Sequence, residues 1–305
     1  MPSLRARIVN LLLPRLGIKR FFSEPDKIPG RIAKMRNTAP ARPGAKMHRK
    51  FAIKEFASRG FPVITIEPKH GATPGAPHLL YLHGGGYVMD AAVIHWSAIG
   101  RLCEALGASA TVPLYPLAPE STASATLPAM RSVFAELALR YGAQNITLMG
   151  DSAGGGMALA LAQILAADGA AMPGSLVLFS PWLDATASGE GQAEIEPRDK
   201  MLTCAGLTAC GALYAGDLPL TDPQVSPLFG SLKALPPMAV FAGTSDILLP
   251  DARRLAVRLD EAGRKDCVYH EYDAMFHVWM LFPVPEGRKA LAQAVDFIRA
   301  QHKKG

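Results

Sequence analysis

The sequence predicts an α/β architecture: a mostly parallel central sheet flanked by helices, with a helical cap over one end. Three observations carry this expectation. From about residue 61, short apolar runs recur that are near-continuously hydrophobic, as strands covered on both faces are. Longer stretches of helical spacing separate them, and strand–helix–strand order builds parallel sheets through right-handed crossovers. Two segments, 1–60 and 184–235, fall outside the alternation, and the second is too long for an ordinary loop.

Along the chain the strand candidates are FPVITIEP (61–68), HLLYLHG (78–84), ASATVPLY (108–115), NITLMG (145–150), SLVLFSP (175–181), MAVFAG (238–243) and CVYHEY (267–272). Helical patterns fill roughly 95–107, 128–141, 154–168, 251–263 and 286–303. Residues 1–22 look amphipathic, and MLTCAGLTACGALYAG has helical character. The cap is expected from approximately 1–50 and 185–235, on a single domain spanning 1–305. A chain of 305 residues, 49% of them hydrophobic, is ample for one layered domain.

Composition narrows the classes. No apolar stretch reaches the roughly 18 residues that span a bilayer, and no cleavable signal peptide is recognisable. Four cysteines without CxxC or metal-ligand spacing read as buried thiols of a reducing, cytoplasmic setting. No metal site and no cofactor are expected. The net charge of +6 is uneven: residues 1–60 hold 15 Lys and Arg against 3 Asp and Glu. No nucleic-acid motif accompanies that charge, so no nucleic acid is expected as partner. A basic amphipathic arm fits a weak contact with an anionic membrane surface; a solvated basic face is the plainer alternative. A homodimer stays open.

One stretch carries chemistry. Residues 145–162 read NITLMGDSAGGGMALALA, a strand pattern, a serine among glycines, then a small-residue helix pattern. Ser152 on a tight strand-to-helix turn is lifted clear of the sheet edge beside the new helix's N–H groups, which can hold an oxyanion. No Lys-Ser/Thr follows, which excludes a Walker-type phosphate loop. A second glycine cluster, His83-Gly84-Gly85-Gly86-Tyr87, directly follows a strand candidate. Its backbone can approach a substrate, so Gly84, Gly85 and Ala153 are the expected oxyanion donors, with the His83 ring buttressing the turn.

A serine hydroxyl needs a base, and the base an orienting acid. Among eight histidines, His277 lies in the loop between the last strand and last helix, where it is the candidate base; His95, near the glycine loop, could line the site. Asp246 follows the strand MAVFAG by three residues and is the candidate acid. Asp251 looks instead like a first-turn helix carboxylate. Aromatic and apolar candidates for a pocket wall are Tyr87, Met89, Trp96, Trp182, Tyr214, Phe276 and Trp279.

HGGGY (83–87), YPLAPE (115–120), GDSAGG (150–155), SPWLD (180–184), GTSDILLPDA (243–252) and MFHVW (275–279), in that order, resemble the hormone-sensitive-lipase-like esterases and lipases of the α/β-hydrolase fold. That resemblance implies a Ser152, Asp246, His277 triad and a serine carboxylester hydrolase acting on short- to medium-chain acyl esters through an acyl-enzyme. It also implies supporting hydrogen bonds from Asp151, Glu120 and Asp184. An amide, thioester or lactone hydrolase would use the same triad. A non-catalytic small-molecule receptor on this fold is the alternative of another class.

Overall fold

A computed structural model describes residues 1–302. Its strands are β1 (Phe51–Ser58), β2 (Phe61–Pro68), β3 (His78–Leu82), β4 (Ser109–Pro113), β5 (Ile146–Asp151), β6 (Ser175–Phe179), β7 (Met238–Gly243) and β8 (Val268–Tyr272). They form one sheet in the order β1-β2-β4-β3-β5-β6-β7-β8. The β1–β2 and β2–β4 pairs are antiparallel, and the remaining pairs are parallel. The expected mostly parallel sheet is therefore present. Every residue of β3 through β7 is buried, the physical reason their sequences read as near-continuous apolar runs.

Eleven α-helices accompany the sheet among the described residues. The first four are α1 (Leu4–Leu12), α2 (Ile18–Phe22), α3 (Ile28–Met35) and α4 (Ala45–Lys50). Next come α5 (Val93–Leu106), α6 (Ala123–Tyr141), α7 (Ala153–Ala167) and α8 (Gln192–Ile195). The last three are α9 (Cys204–Ala215), α10 (Leu249–Glu261) and α11 (Pro285–His302). The helix expected over 286–303 matches α11, and position 303 lies outside the described residues. The helix α6 begins five residues earlier than its pattern predicted: Thr122 precedes it in extended conformation, and Pro128 is accommodated inside it.

The sheet gains a strand the apolar pattern did not signal. Most of β1 is exposed or half-buried, because it is an edge strand paired only with β2. An edge strand with Lys54 and Glu55 in its middle needs no apolar alternation, and charge there discourages further pairing. The rest of the basic segment is helical. Helices α2 and α3 pack on α9, and Thr203 Oγ1 donates to the Phe22 carbonyl at 2.8 Å. The two segments outside the strand–helix alternation thus meet each other.

Candidate active site

The turn between β5 and α7 carries Ser152 with φ +53° and ψ −123°, a left-handed backbone that a non-glycine residue adopts at a cost of order 1–3 kcal/mol. Three backbone bonds hold it there. Its N–H donates to the Phe179 carbonyl at 2.9 Å, and its own carbonyl accepts from Trp182 (2.9 Å) and Gly156 (3.1 Å). The glycines allow close approach: a Cβ on Gly154 would overlap the carbonyl oxygens of Leu82 and His83. The sequence Gly-Asp-Ser-Ala-Gly therefore packs α7 onto the β3 end while leaving the hydroxyl at the sheet edge.

Asp246 stands on the turn after β7. Its Oδ1 accepts the Leu248 N–H at 3.0 Å. That turn is fastened to the His277 loop: Thr244 N–H donates to the Tyr272 carbonyl (3.0 Å) and Ser245 N–H to the Met275 carbonyl (2.9 Å). His277 Nδ1 lies 2.8 Å from Asp246 Oδ2, and its Nε2 lies 2.9 Å from Ser152 Oγ. With Nδ1–H donated to the carboxylate, Nε2 is the acceptor that faces the hydroxyl. Ser152, Asp246 and His277 are all buried.

Burial disfavours the imidazolium of His277. The Asp246 charge and hydrogen bond, with the charges of Asp199 and Asp151, outweigh that penalty, and the net pKa is raised. Burial likewise disfavours the Asp151 carboxylate, but His95, the Tyr81 hydroxyl and His83 lower its pKa overall. Tyr81 Oη donates to Asp151 Oδ1 at 2.7 Å, and His95 Nε2 sits 3.3 Å from Oδ2. Burial, then the nearby His95, push the His83 imidazole down to about 4. Neutral His83 stacks on Tyr115 with ring centroids 4.3 Å apart, the buttressing role its sequence context suggests.

A cavity of about 110 Å³ opens beside Ser152 and His277. Gly85, Gly86 and Met89 line it on the glycine-loop side, Ile18 and Phe22 from α2, Met201, Leu202 and Leu207 from the 184–235 segment, and Val278 and Leu281 from the loop after His277. Its surface is mostly apolar. A cleft of about 720 Å³ between Pro128 and Ala171 holds none of these groups. Among the described residues no set of three or more His, Cys, Asp or Glu side chains is grouped to hold a metal ion. A nucleophile, a base and a carboxylate in one hydrogen-bonded series, beside helix-start amides, can perform acyl transfer.

A family model described as the alpha/beta hydrolase fold matches residues 79–281. The chain belongs to this α/β-hydrolase family. It is 34% identical over 231 residues to an acetyl-hydrolase of Streptomyces hygroscopicus, covering 74% of this chain and 77% of that protein. It is 36% identical over 194 residues to a triacylglycerol lipase of Mycobacterium tuberculosis, covering 63% of this chain and 39% of the lipase's length. A crystal structure of an esterase from the bacterial hormone-sensitive lipase family superposes with a TM-score of 0.78 at 31% identity, over 91% of this chain and 98% of that one. The resemblance read from HGGGY, GDSAGG and the later motifs is thus to the correct branch of the α/β-hydrolases.

Within this α/β-hydrolase several expected roles change. Gly84 N–H is donated to Asp151 Oδ1 at 3.1 Å, so it is engaged and cannot serve as an oxyanion donor. Gly85 lines the cavity as expected, and Gly86 lines it beside Gly85; neither N–H has an acceptor among the described residues. Gly85 has φ +123°, and a Cβ there would run into Met89, so the loop's path depends on glycine. Ala153 opens α7, where first-turn N–H groups lack intrahelical partners.

The expected wall of aromatic side chains is core. Of Tyr87, Met89, Trp96, Tyr214 and Trp279, Met89 alone lines the cavity. Tyr87 stacks on Tyr214 at 3.7 Å between centroids and tilts against Trp182. Trp96 Nε1 donates to the Ala41 carbonyl at 3.0 Å, and Trp279 packs on Tyr272. Phe276 packs edge-on against Phe282. Such rings hold the loops that hold the triad.

The supporting carboxylates divide. Asp151 touches the glycine loop, as described. Glu120 is more than half exposed and pairs with Arg36, which also donates to the Val88 and Ala118 carbonyls; it ties α3 to the glycine-loop region and makes no contact with the triad. Buried Asp184 accepts from Thr186 N (2.9 Å), Ser188 Oγ (2.9 Å) and Arg254 Nη1 (2.8 Å), which fixes the start of the 184–235 segment. His95 does line the cavity, as its position near the glycine loop suggested. Asp251 is buried on the first turn of α10, hydrogen-bonded by Gln192 and Arg254, and stands apart from His277.

Proposed function

We propose that this enzyme cleaves short- to medium-chain acyl esters through an acyl-enzyme formed on Ser152. Carboxylester hydrolysis as the reaction class follows from the family and from relatives named triacylglycerol lipase, acetyl-hydrolase and esterase. The roles of individual residues rest on one observation, the Ser152–His277–Asp246 series at 2.9 and 2.8 Å. His277 Nε2 takes the hydroxyl proton as Ser152 Oγ bonds to the ester carbonyl carbon. Asp246 holds the resulting imidazolium, and the N–H groups of Gly85, Gly86 and Ala153 receive the oxyanion. The imidazolium then gives its proton to the leaving alkoxide oxygen as the C–O bond breaks. Water repeats the attack with His277 as base, and the acid leaves.

The small apolar cavity favours short acyl groups. Hydrolysis of p-nitrophenyl esters from acetate to palmitate tests the reading. Turnover should peak at the short end and fall at least about 10⁴-fold in Ser152→Ala. A Ser152→Ala protein that keeps its turnover would refute the assignment.

We assign residues 1–50 and 185–235 to a cap on the hydrolase domain. Support comes from Thr203 on Phe22 and from Lys19 Nζ, which donates to the Glu196 carbonyl at 2.8 Å. We further propose that α1 meets an anionic membrane surface. Ala6 and Leu13 bury one side of this first segment, while Leu4 (70%), Ile8 (49%) and Leu11 (73%) are exposed on the other. Exposed Arg5 and Arg7 flank that stripe, the pattern of an interfacial helix. The protein should float with phosphatidylglycerol vesicles and lose this when Leu4 and Leu11 become Asp. Failure to float, or a solution homodimer that covers the leucines, would overturn it. No described helix is long and apolar enough to cross a membrane. Four unpaired thiols support a reducing, cytoplasmic setting.

A further inference from the structure

Asp199 is fully buried in the 184–235 segment, and none of the motifs that identify the family includes it. Its Oδ1 accepts the N–H groups of Met201 (2.7 Å) and Leu202 (2.9 Å), two residues that line the cavity. Its Oδ2 accepts the N–H of Ile247 at 3.0 Å, the residue directly after Asp246. One carboxylate therefore joins the pocket wall to the turn that presents the triad acid.

We infer that Asp199 is a positioning residue for the triad, holding the Asp246 turn in register with the cap wall and placing a second negative charge behind His277. The inference rests on the proposed roles of Ser152, His277 and Asp246.

Both oxygens of Asp199 face backbone N–H groups, and a carboxylate is an acceptor at both oxygens, whereas a carboxamide is not. In Asp199→Asn at least one of the three N–H groups would face an NH₂ and lose its acceptor inside the core. If that group is Ile247 N–H, the Asp246 turn shifts; if it is the Met201–Leu202 pair, the wall shifts. The ionisable neighbours are Asp246, His277 and Cys204. The Lys19 ammonium donates to the backbone carbonyls of Glu196 and Asp199, which brings α2 to the same knot. Burial and the Asp246 charge push the Asp199 carboxyl up, with His277 and the N–H donors opposing. In return its charge helps to raise the His277 imidazolium.

Two consequences separate positioning from plain packing. Removing the charge leaves His277 easier to deprotonate, so the acid limb of the kcat/KM profile moves to lower pH in Asp199→Asn. Disturbing the acid turn lowers kcat about 10-fold or more, while KM for p-nitrophenyl acetate stays within about twofold. Both are measured against wild type, with Ser152→Ala in parallel. A wild type without ester turnover, or a Ser152→Ala protein that keeps it, would count against the triad roles and not against Asp199 alone. If Asp199→Asn does not fold, Asp199→Glu carries the test. It keeps the charge and loses the geometry, so kcat should fall with the acid limb unmoved. A folded Asp199→Asn with wild-type kcat and an unmoved acid limb would overturn the inference. So would an Asp199→Glu protein with wild-type kcat.

Discussion

The cavity joins two regions held by different means. On the sheet side, Ser152, Asp246 and His277 stand on turns after β5, β7 and β8, and backbone hydrogen bonds fix those turns to one another and to β6. On the opposite side, Ile18, Phe22, Met201, Leu202 and Leu207 come from segments far apart in sequence. A few side-chain contacts to backbone, from Lys19, Thr203 and Asp199, tie that wall together. The first region can hold reacting groups to a fraction of an ångström, because each turn is over-determined. The second can change the apolar side chains that line it without disturbing the chemistry. Substitutions on the sheet side should therefore abolish turnover or folding, and those of the apolar side chains lining the cap side should retune selectivity, whereas Asp199 reaches across to the acid turn.

The largest effect expected after Ser152 itself is at Asp246. Asp246→Asn keeps the shape but favours the wrong imidazole tautomer, and kcat should fall about 10³- to 10⁴-fold with KM little changed. In wild type the raised His277 pKa places the acid limb of kcat/KM above the ordinary histidine value of about 6.5. The neutral base is lost as pH falls through that limb. A wild-type limb below the ordinary value would break the electrostatic account.

Gly154→Ala comes next. Its Cβ would enter the Leu82 and His83 carbonyls, which are backbone and cannot step aside. Overpacking of this kind costs about 1–3 kcal/mol or more, read as a drop in melting temperature together with lost activity. A variant as stable and active as wild type would show that the turn is less constrained than its geometry implies.

On the cap side Met201→Ala should cost less than about 10-fold in kcat/KM on p-nitrophenyl acetate, while the chain-length optimum moves to longer acyl groups. One methylene in an apolar pocket is worth about 1–3 kcal/mol of discrimination. An unchanged optimum would remove Met201 from the acyl wall. The smallest effect is on stability alone. Burial, then the Asp184 charge, raise the Asp251 carboxyl to about 7. Its folded pKa thus lies above the unfolded value of about 3.9. The stability it contributes is fully present below that value and is lost as pH rises through about 7. Asp251→Asn should gain on wild type by on the order of 1 kcal/mol between pH 5 and pH 8, measured by denaturant unfolding. A constant difference across that range would contradict the shift.

The same two regions differ in how far local sequence marks them. The triad positions follow from local pattern: an apolar strand run, a short turn, then Ser152, Asp246 or His277. The edge strand β1 carries no local signal because only burial imposes alternation, and β1 is largely exposed. The engagement of Gly84 by Asp151 joins residues 67 apart, so no local pattern announces it. Hydrophobicity alone does not separate a ring that lines a cavity from one that fills the core, so the sequence does not distinguish Tyr87, Tyr214 and Trp279 from wall residues. Ile18, Phe22, Leu207 and Asp199 reach the site only through tertiary packing, and within the glycine run nothing local separates Gly86 from Gly84 as a free donor.

In the proposed mechanism Ser152 carries the acyl group. Acid quenching within milliseconds of mixing with p-nitrophenyl acetate, followed by peptide mass spectrometry, tests it directly. One acetyl group is expected on the peptide containing Ser152, and none in Ser152→Ala. An acetyl group on another residue in the actively turning-over enzyme, or turnover with no covalent adduct and no initial burst of p-nitrophenolate, would contradict it.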